Sequence, residues 1–409
     1  MHRSKLWTRT GGVIVAAAVV IAIVAAQSAS TQQHSGQQHS GQQHSGQVAT
    51  AAQTAAAADE TCATGAAPTA KLPALDRQQL AGQRIIYSYS GHNPPASLLW
   101  LISHGDAAGV IFFGANISSE AQIRGVIKRL DQANAAKTNP VRRPLLLMTD
   151  QEGGEVRRLP GAPSLSEKQI GESAHPGTAA TAAGKGAGQN LRGVGMNVNL
   201  APVLDVYRKP GNFIDEFGRS YSSNPSIVAA LGPDFIKAQQ KLKVAATAKH
   251  FPGLGKASRS QDTDIRPVTL NLTLHSIRTI DEKPYTTAIA AGVKLVMVSW
   301  AVYPVLDKNR PAGLSSTIVG GELRDRLAFK GVTVTDALEA GALHAFGSIP
   351  NRAVLAAGAG MDLLLCAAQQ VGEGSQARDA LAHAYGGKLG KAAFTAAAGR
   401  IFALRGSLG

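Results

Sequence analysis

The sequence predicts an α/β protein whose folded part is a single (β/α)8 barrel of the TIM type. Eight short, apolar, β-rich runs alternate with longer Ala-, Leu-, Lys- and Gln-rich segments of helical spacing, the pattern of strands each followed by a crossover helix. Runs such as VIFF, KLVMVSW and MDLLLC are almost continuously apolar, which suits strands covered by the barrel interior on one face and by helices on the other. Polar residues stand at the C-terminal ends of several runs, the rim on which barrels of this kind carry their sites.

The first residues have a different composition from the rest. Arg3, Lys5 and Arg9 precede an apolar run of 16 residues, Gly11 to Ala26, and the small residues of AQSAS that follow suit signal-peptidase cleavage. Residues 1–28 therefore read as a signal peptide or, because about 20 residues span a bilayer, as an uncleaved N-terminal anchor. No cysteine follows this run directly, which argues against lipoprotein processing there. Residues 29–69 contain three copies of QQHSG, from Gln32 to Gly46, and then an Ala/Thr/Gln-rich tract. Such a composition cannot bury a core, so the segment reads as a solvated linker, and His34, His39 and His44 have no geometry fixed for a metal.

From residue 70 to 409 the barrel strands are expected at Arg84–Tyr89, Gly109–Phe113, Leu145–Thr149, Asn197–Leu204, Ala245–His250, Leu295–Trp300, Val332–Asp336 and Met361–Cys366. A last helix is expected over Ala393–Leu404, with no room after it for a second α/β domain. Asp150, Asp205, Lys249, His250 and Asp336 all fall at strand C-terminal ends, which gathers them on one rim.

Cys62 and Cys366 are the only cysteines. In an exported chain they are a disulfide candidate that would pin the start of the domain to the end of the last strand. A net charge of +14 favours an anionic membrane surface or anionic wall polymers. It does not argue for nucleic acid, since no basic helix with interleaved aromatics and no zinc spacing occurs.

Three segments carry a family resemblance: TDQEGGEVRRLPG (Thr149–Gly161), AKHFPGLGKASRSQDTD (Ala248–Asp264) and GVTVTDALEAGA (Gly331–Ala342). Together they resemble glycoside hydrolase family 3, in its single-domain bacterial β-N-acetylglucosaminidase-like branch, over roughly residues 70 to 405. The resemblance implies that Asp336 is the nucleophile of a retaining glycosidase, a carboxylate that forms a glycosyl-enzyme bond. Taken alone, Asp336 reads equally as an N-cap of the following segment. The resemblance further implies that Asp150, Arg219 (in FGRSYSSNP), Lys249 and His250 bind the sugar and that Asp205 (in NLAPVLDV) helps to shape the same site. Gly153 and Gly154 would let the backbone turn sharply beside the ligand. Arg157 and Arg158 read as packing or ion-pair residues.

Two positions depart from the family pattern. Relatives carry a D-S-H triplet after the fifth strand, its histidine acting as acid/base, where this chain has Asp262-Thr263-Asp264. Asp264 is the nearest substitute, with Asp262 in place of the orienting aspartate; a carboxylic acid whose pKa is raised by burial or a neighbouring carboxylate can do the same work. The other reading of this loop has its carboxylates facing water, Lys256 and Arg259. Trp300 stands where many relatives have a histidine, to stack on a sugar or to fill the rim.

The implied function is a secreted or membrane-tethered retaining exo-β-glycosidase, acting as a β-N-acetylhexosaminidase on cell-wall-derived glycans without cofactor or metal. A β-glucosidase- or β-xylosidase-like hydrolase and a degenerate sugar-binding barrel are the alternatives. Oligomeric state is not legible.

Overall fold

A computed structural model describes residues 70–409. The expected export segment, the linker and Cys62 lie outside the described residues. Eight parallel strands close into a barrel: β1 (Ile85–Tyr87), β2 (Gly109–Ile111), β3 (Leu146–Thr149), β4 (Val198–Asn199), β5 (Ala245–Phe251), β6 (Leu295–Val298), β7 (Val332–Ala337) and β8 (Leu363–Leu365). Each strand pairs with its sequence neighbours, and β8 returns to β1 through Ile85↔Leu364 and Ile86↔Leu365. The fourth strand is shorter than expected; past Asn199 only a single bridge, Val203↔Lys249, continues the pairing. The last helix runs from Lys391 to Ser407, longer than expected at both ends.

Side-chain parity divides the apolar residues into two cores. Ile86, Ile111, Leu146, Met148, Val198, Leu200, Ala245, Leu295, Met297, Val332, Val334, Leu363 and Leu365 pack together in the barrel lumen. Their alternates, such as Ile85, Val110, Leu147, Ala246, Ala248, Val296, Val298 and Leu364, pack outward beneath the helices. Extending the lumen parity two residues past the strand core brings Asp150 in behind Met148, Lys249 behind Ala245 and Thr247, and Asp336 behind Val334.

The opposite rim of the barrel is closed by a buried ion cluster. Asp362, just ahead of β8, accepts hydrogen bonds from Arg324 and Arg400, each at 2.6 Å, and from the Thr333 amide at 3.0 Å. It ties the last two strands to the helical segment Thr317–Arg326 and to the C-terminal helix. Arrangements on this face stabilise the barrel and stay remote from the mouth.

Candidate active site

The loops after the strand C-termini surround a cavity of ≈ 710 Å³. Ile111, Leu200, Met297 and Leu365, the uppermost lumen residues, form its apolar floor. Asp150, Arg219, Lys249, His250, Asp262, Asp264 and Asp336 line its walls, so seven of the residues singled out in the sequence converge there.

Two glycines shape the β3 side. Gly153 and Gly154 have φ of 123° and 55°, and a Cβ on Gly153 would stand 2.2 Å from the Leu165 carbonyl oxygen. The tight turn they allow lets Gln151–Gly153 pair with Val156–Arg157 as a small hairpin over the mouth.

The same hairpin carries Glu152, which the sequence reading passed over. Nζ of Lys249 lies 2.8 Å from Asp150 and 2.7 Å from Glu152, while Arg219 holds Glu152 through Nε at 2.9 Å and its terminal nitrogen at 2.8 Å. Burial by itself would raise the Glu152 carboxyl, but the charges of Arg219 and Lys249 and the hydrogen bonds they donate outweigh it and hold it at about 2. Two cations and two carboxylates thus form one fixed array, with Asp150 on its cavity side.

Asp205 and Trp300 do not line the cavity as sugar-binding residues would, and Trp300 follows the packing alternative. Asp205 is fully buried and does not line the cavity. Its Oδ2 lies 2.7 Å from Nδ1 of His250, which lines the cavity, and its Oδ1 accepts the Leu254 amide at 2.6 Å. Trp300 presents no sugar-stacking face. It shares parity with Val296 and Val298, so its ring is buried outside the barrel against Gly313, and its indole N–H donates to the Ala337 carbonyl at 2.8 Å. The aromatic rings at the cavity are those of Phe113, Phe213 and Phe217, the last 45% exposed. Arg157 donates to the Gly161 carbonyl at 2.6 Å, as expected of a packing residue, whereas Arg158 lines the cavity.

Asp336 ends the lumen row of β7 and accepts the amide of Ala337 at 2.8 Å. Facing it is the loop with Asp262 and Asp264. Arg259 on this loop pairs with Glu216 at 2.5 Å and leaves the two aspartates to one another. Asp262 accepts the Asp264 amide at 2.9 Å. Main-chain hydrogen bonds from Gly341 to the Asp264 carbonyl, 2.7 Å, and from Ala342 to the Thr263 carbonyl, 3.0 Å, dock the loop on the segment after β7. Gly341 is needed for this approach, since a Cβ there would lie 2.1 Å from the Ile265 carbonyl oxygen.

The Asp264 carboxyl is pushed up to about 7, by removal of water first and then by the charges of Asp336, Asp262 and Glu339, against the pull of Arg219. Because Asp264 is open to solvent on its outer side, the lasting part of this rise is the like charge gathered around it. The cavity therefore holds a carboxyl poised to carry a proton near neutrality opposite another carboxylate, the pair of roles that glycosidic cleavage needs. Among the described residues no group of acidic, His or Cys side chains is arranged to hold a metal ion. Cys366 is buried under the helices at the end of β8, where loss of water raises its thiol.

Comparison with known proteins agrees with this geometry. The sequence is similar over 345 residues, at 46% identity, to an uncharacterized secreted glycosyl hydrolase of Arthroderma benhamiae, covering 84% of this chain and 97% of that protein. The fold is similar to a family 3 β-N-acetylglucosaminidase of Paenibacillus sp. FPU-7, with a TM-score of 0.77 and 33% identity; the match spans 82% of this chain and 63% of that one. It is also similar to a β-N-acetylhexosaminidase of Beutenbergia cavernae, with a TM-score of 0.74 and 30% identity over 82% of this chain and all of that one (100%). The profile of the glycosyl hydrolase family 3 N-terminal domain matches residues 79–404, and the chain belongs to that family of glycoside hydrolases.

Proposed function

We propose that this protein is a retaining exo-β-N-acetylhexosaminidase that removes terminal N-acetylglucosamine from cell-wall-derived glycans. The observation that carries the reading is the convergence, in one cavity, of Asp336, the proton-poised Asp264 and the Asp150–Lys249–Glu152–Arg219 array. Asp336 attacks the anomeric carbon, and Asp264 protonates the leaving oxygen and then takes a proton from the attacking water, with Asp262 orienting its loop. Asp150, Arg219, Lys249 and His250 bind the sugar hydroxyls, and Asp205 orients His250. The relatives named for N-acetylglucosaminidase and N-acetylhexosaminidase activity favour an N-acetylated sugar over glucose or xylose.

Residues 1–28 would export the chain, cleaved or kept as an anchor, and residues 29–69 would tether the barrel, with the positive charge favouring an anionic membrane or wall surface. Among the described residues no helix is long and apolar enough to cross a membrane. A Cys62–Cys366 disulfide belongs to the same reading.

The purified protein, assayed on a panel of aryl β-glycosides with product anomers followed by NMR, tests this. Release of β-N-acetylglucosamine with retention is expected. Preference for β-glucosides or β-xylosides would move the specificity, and sugar binding without turnover would make the barrel a lectin.

A further inference from the structure

At the closed rim of the barrel, opposite the mouth, four cations gather around a recess that the proposed hydrolysis does not use. A cavity of ≈ 320 Å³ is lined there by Arg84, just ahead of β1, and by Arg324, Lys388 and Arg400. No acidic side chain lines it. Asp362 is fully buried behind the guanidiniums, where it binds Arg324 and Arg400 together and can neutralise only one of them. Among the described residues Lys388, in the exposed turn ahead of the C-terminal helix, pairs with no carboxylate.

Arg84 is the buried member of the group, 2% exposed. Its Nε and Nη2 donate to the carbonyls of Asp362, at 3.1 Å, and Met361, at 2.5 Å, while its Nη1 meets no acceptor among the described residues. The guanidinium carbon lies 4.3 Å from the centre of the Phe394 ring, which also lines the recess. Burial, opposed by Asp362 and joined by the like charge of Arg400, brings the Arg84 guanidinium down to about 10. A cation held this way gains from any anion that reaches it. The C-terminal helix, Lys391–Ser407, begins at the same place. Gly390 and Ala393 line the recess, and no side chain caps the helix N-terminus, so the amides of its first turn add their positive potential to that of the four side chains.

We propose that this recess binds a phosphate group, as inorganic phosphate or a small phosphomonoester, whose oxygens accept from the free N–H of Arg84, from Arg400 and from Lys388. A phosphate carries about two negative charges near neutrality, which suits cations left with a single carboxylate between them. Its tetrahedral oxygens accept donors from several directions, whereas a planar carboxylate meets one guanidinium fork. Bound there, the group stabilises the closed end of the barrel by mass action and takes no part in chemistry at the mouth. The site shares no residue with the proposed hydrolase machinery and stands apart from that reading.

The test is isothermal titration calorimetry and phosphorus NMR on the purified protein in a chloride buffer of constant ionic strength, with inorganic phosphate and glycerol phosphate as the probes. One saturable site is expected, with a melting temperature that rises to a plateau; a general effect of the anion on the solvent would rise without saturating. Tighter glycerol phosphate would mark the ester as the occupant, and tighter inorganic phosphate the free ion. Acetate and dimethyl phosphate, with fewer charged oxygens, should bind at least about tenfold more weakly. Lys388→Glu and Arg400→Ala should each weaken phosphate by about tenfold or more, and Lys388→Glu should leave kcat/KM on an aryl glycoside unchanged. Arg219→Ala, which removes a cation of the mouth, should leave phosphate affinity unchanged. Absence of saturable binding, acetate binding as tightly as phosphate, or binding that survives Lys388→Glu but is lost in Arg219→Ala would overturn the proposal. Should Arg400→Ala not fold, Lys388→Glu and Arg219→Ala still decide.

Discussion

Nδ1 of His250 lies 2.7 Å from Oδ2 of Asp205, although 45 residues separate them in the chain. The remaining oxygen of Asp205 is held by the amides of Leu254, at 2.6 Å, and His250 itself, at 3.4 Å, so the carboxylate cannot rotate away. One ring nitrogen of His250 is thereby occupied, and the other is free to meet a ligand in the cavity.

Asp205→Asn should preserve the amide contacts but weaken the grip on the ring. We expect kcat/KM to fall by about tenfold, mainly through KM, with the melting temperature close to wild type. Steady-state kinetics beside thermal melts check this; a large loss of stability with normal kinetics would mean that Asp205 serves only the core.

Asp336→Asn removes the attacking charge while keeping shape and the Ala337 amide contact. Turnover should drop by at least about a thousandfold with an unchanged circular dichroism spectrum. A 2-fluoro sugar that accumulates the covalent intermediate should label the peptide containing Asp336, and mass spectrometry finding the label on another carboxylate would reassign the nucleophile.

Asp264, with its carboxyl raised to about 7, must be protonated to assist departure of a sugar alcohol. Hydrolysis of a disaccharide should therefore be full at mildly acid pH and fall as pH rises through about 7, whereas kcat/KM for a highly acidic phenol should not follow this titration. Asp264→Ala should depress disaccharide cleavage far more than phenol release, and azide should restore turnover where deglycosylation is limiting. Asp262→Ala, which loses the contact to the Asp264 amide and one of the like charges beside Asp264, should cost less. Equal, slight effects on both substrates would put the acid elsewhere.

The Lys249–Glu152–Arg219 array links binding to stability. Asp150→Ala, Arg219→Ala and Lys249→Ala should each weaken transition-state binding by about 2–4 kcal/mol, since each removes a charged partner from a water-poor site. Unchanged efficiency in all three would place the sugar elsewhere. Glu152 is the folded-state case of a depressed carboxyl, at about 2. Its contribution is complete above the unfolded value near 4.5 and is lost as pH falls towards 2. Glu152→Gln should therefore destabilise at pH 7 by about 3 kcal/mol and lose that deficit in acid, as denaturant titrations across pH would register.

Most of the barrel is legible in the sequence because its strands are buried on both faces and end in polar residues. The fourth strand is the exception: Leu200–Leu204 is apolar throughout, yet Pro202 lacks an amide, and pairing stops at Asn199 apart from one bridge. The cavity residues of the three motifs are legible for the same reason of position. What escaped was set by parity and by tertiary pairing. Trp300 is an even step from Val296 and Val298, a spacing that places it outside the barrel, and Glu152 is two residues from Asp150, a spacing that returns it to the same side.

Thr263 and Asp264 are gripped through their main-chain carbonyls, by the amides of Ala342 and Gly341. Nothing in that grip reads the side chain at position 264. The holder and the tool are therefore separable: the proton carrier at this point can be exchanged, for an imidazole as readily as for a carboxyl, and the optimum pH retuned, without redesigning the barrel that aims it.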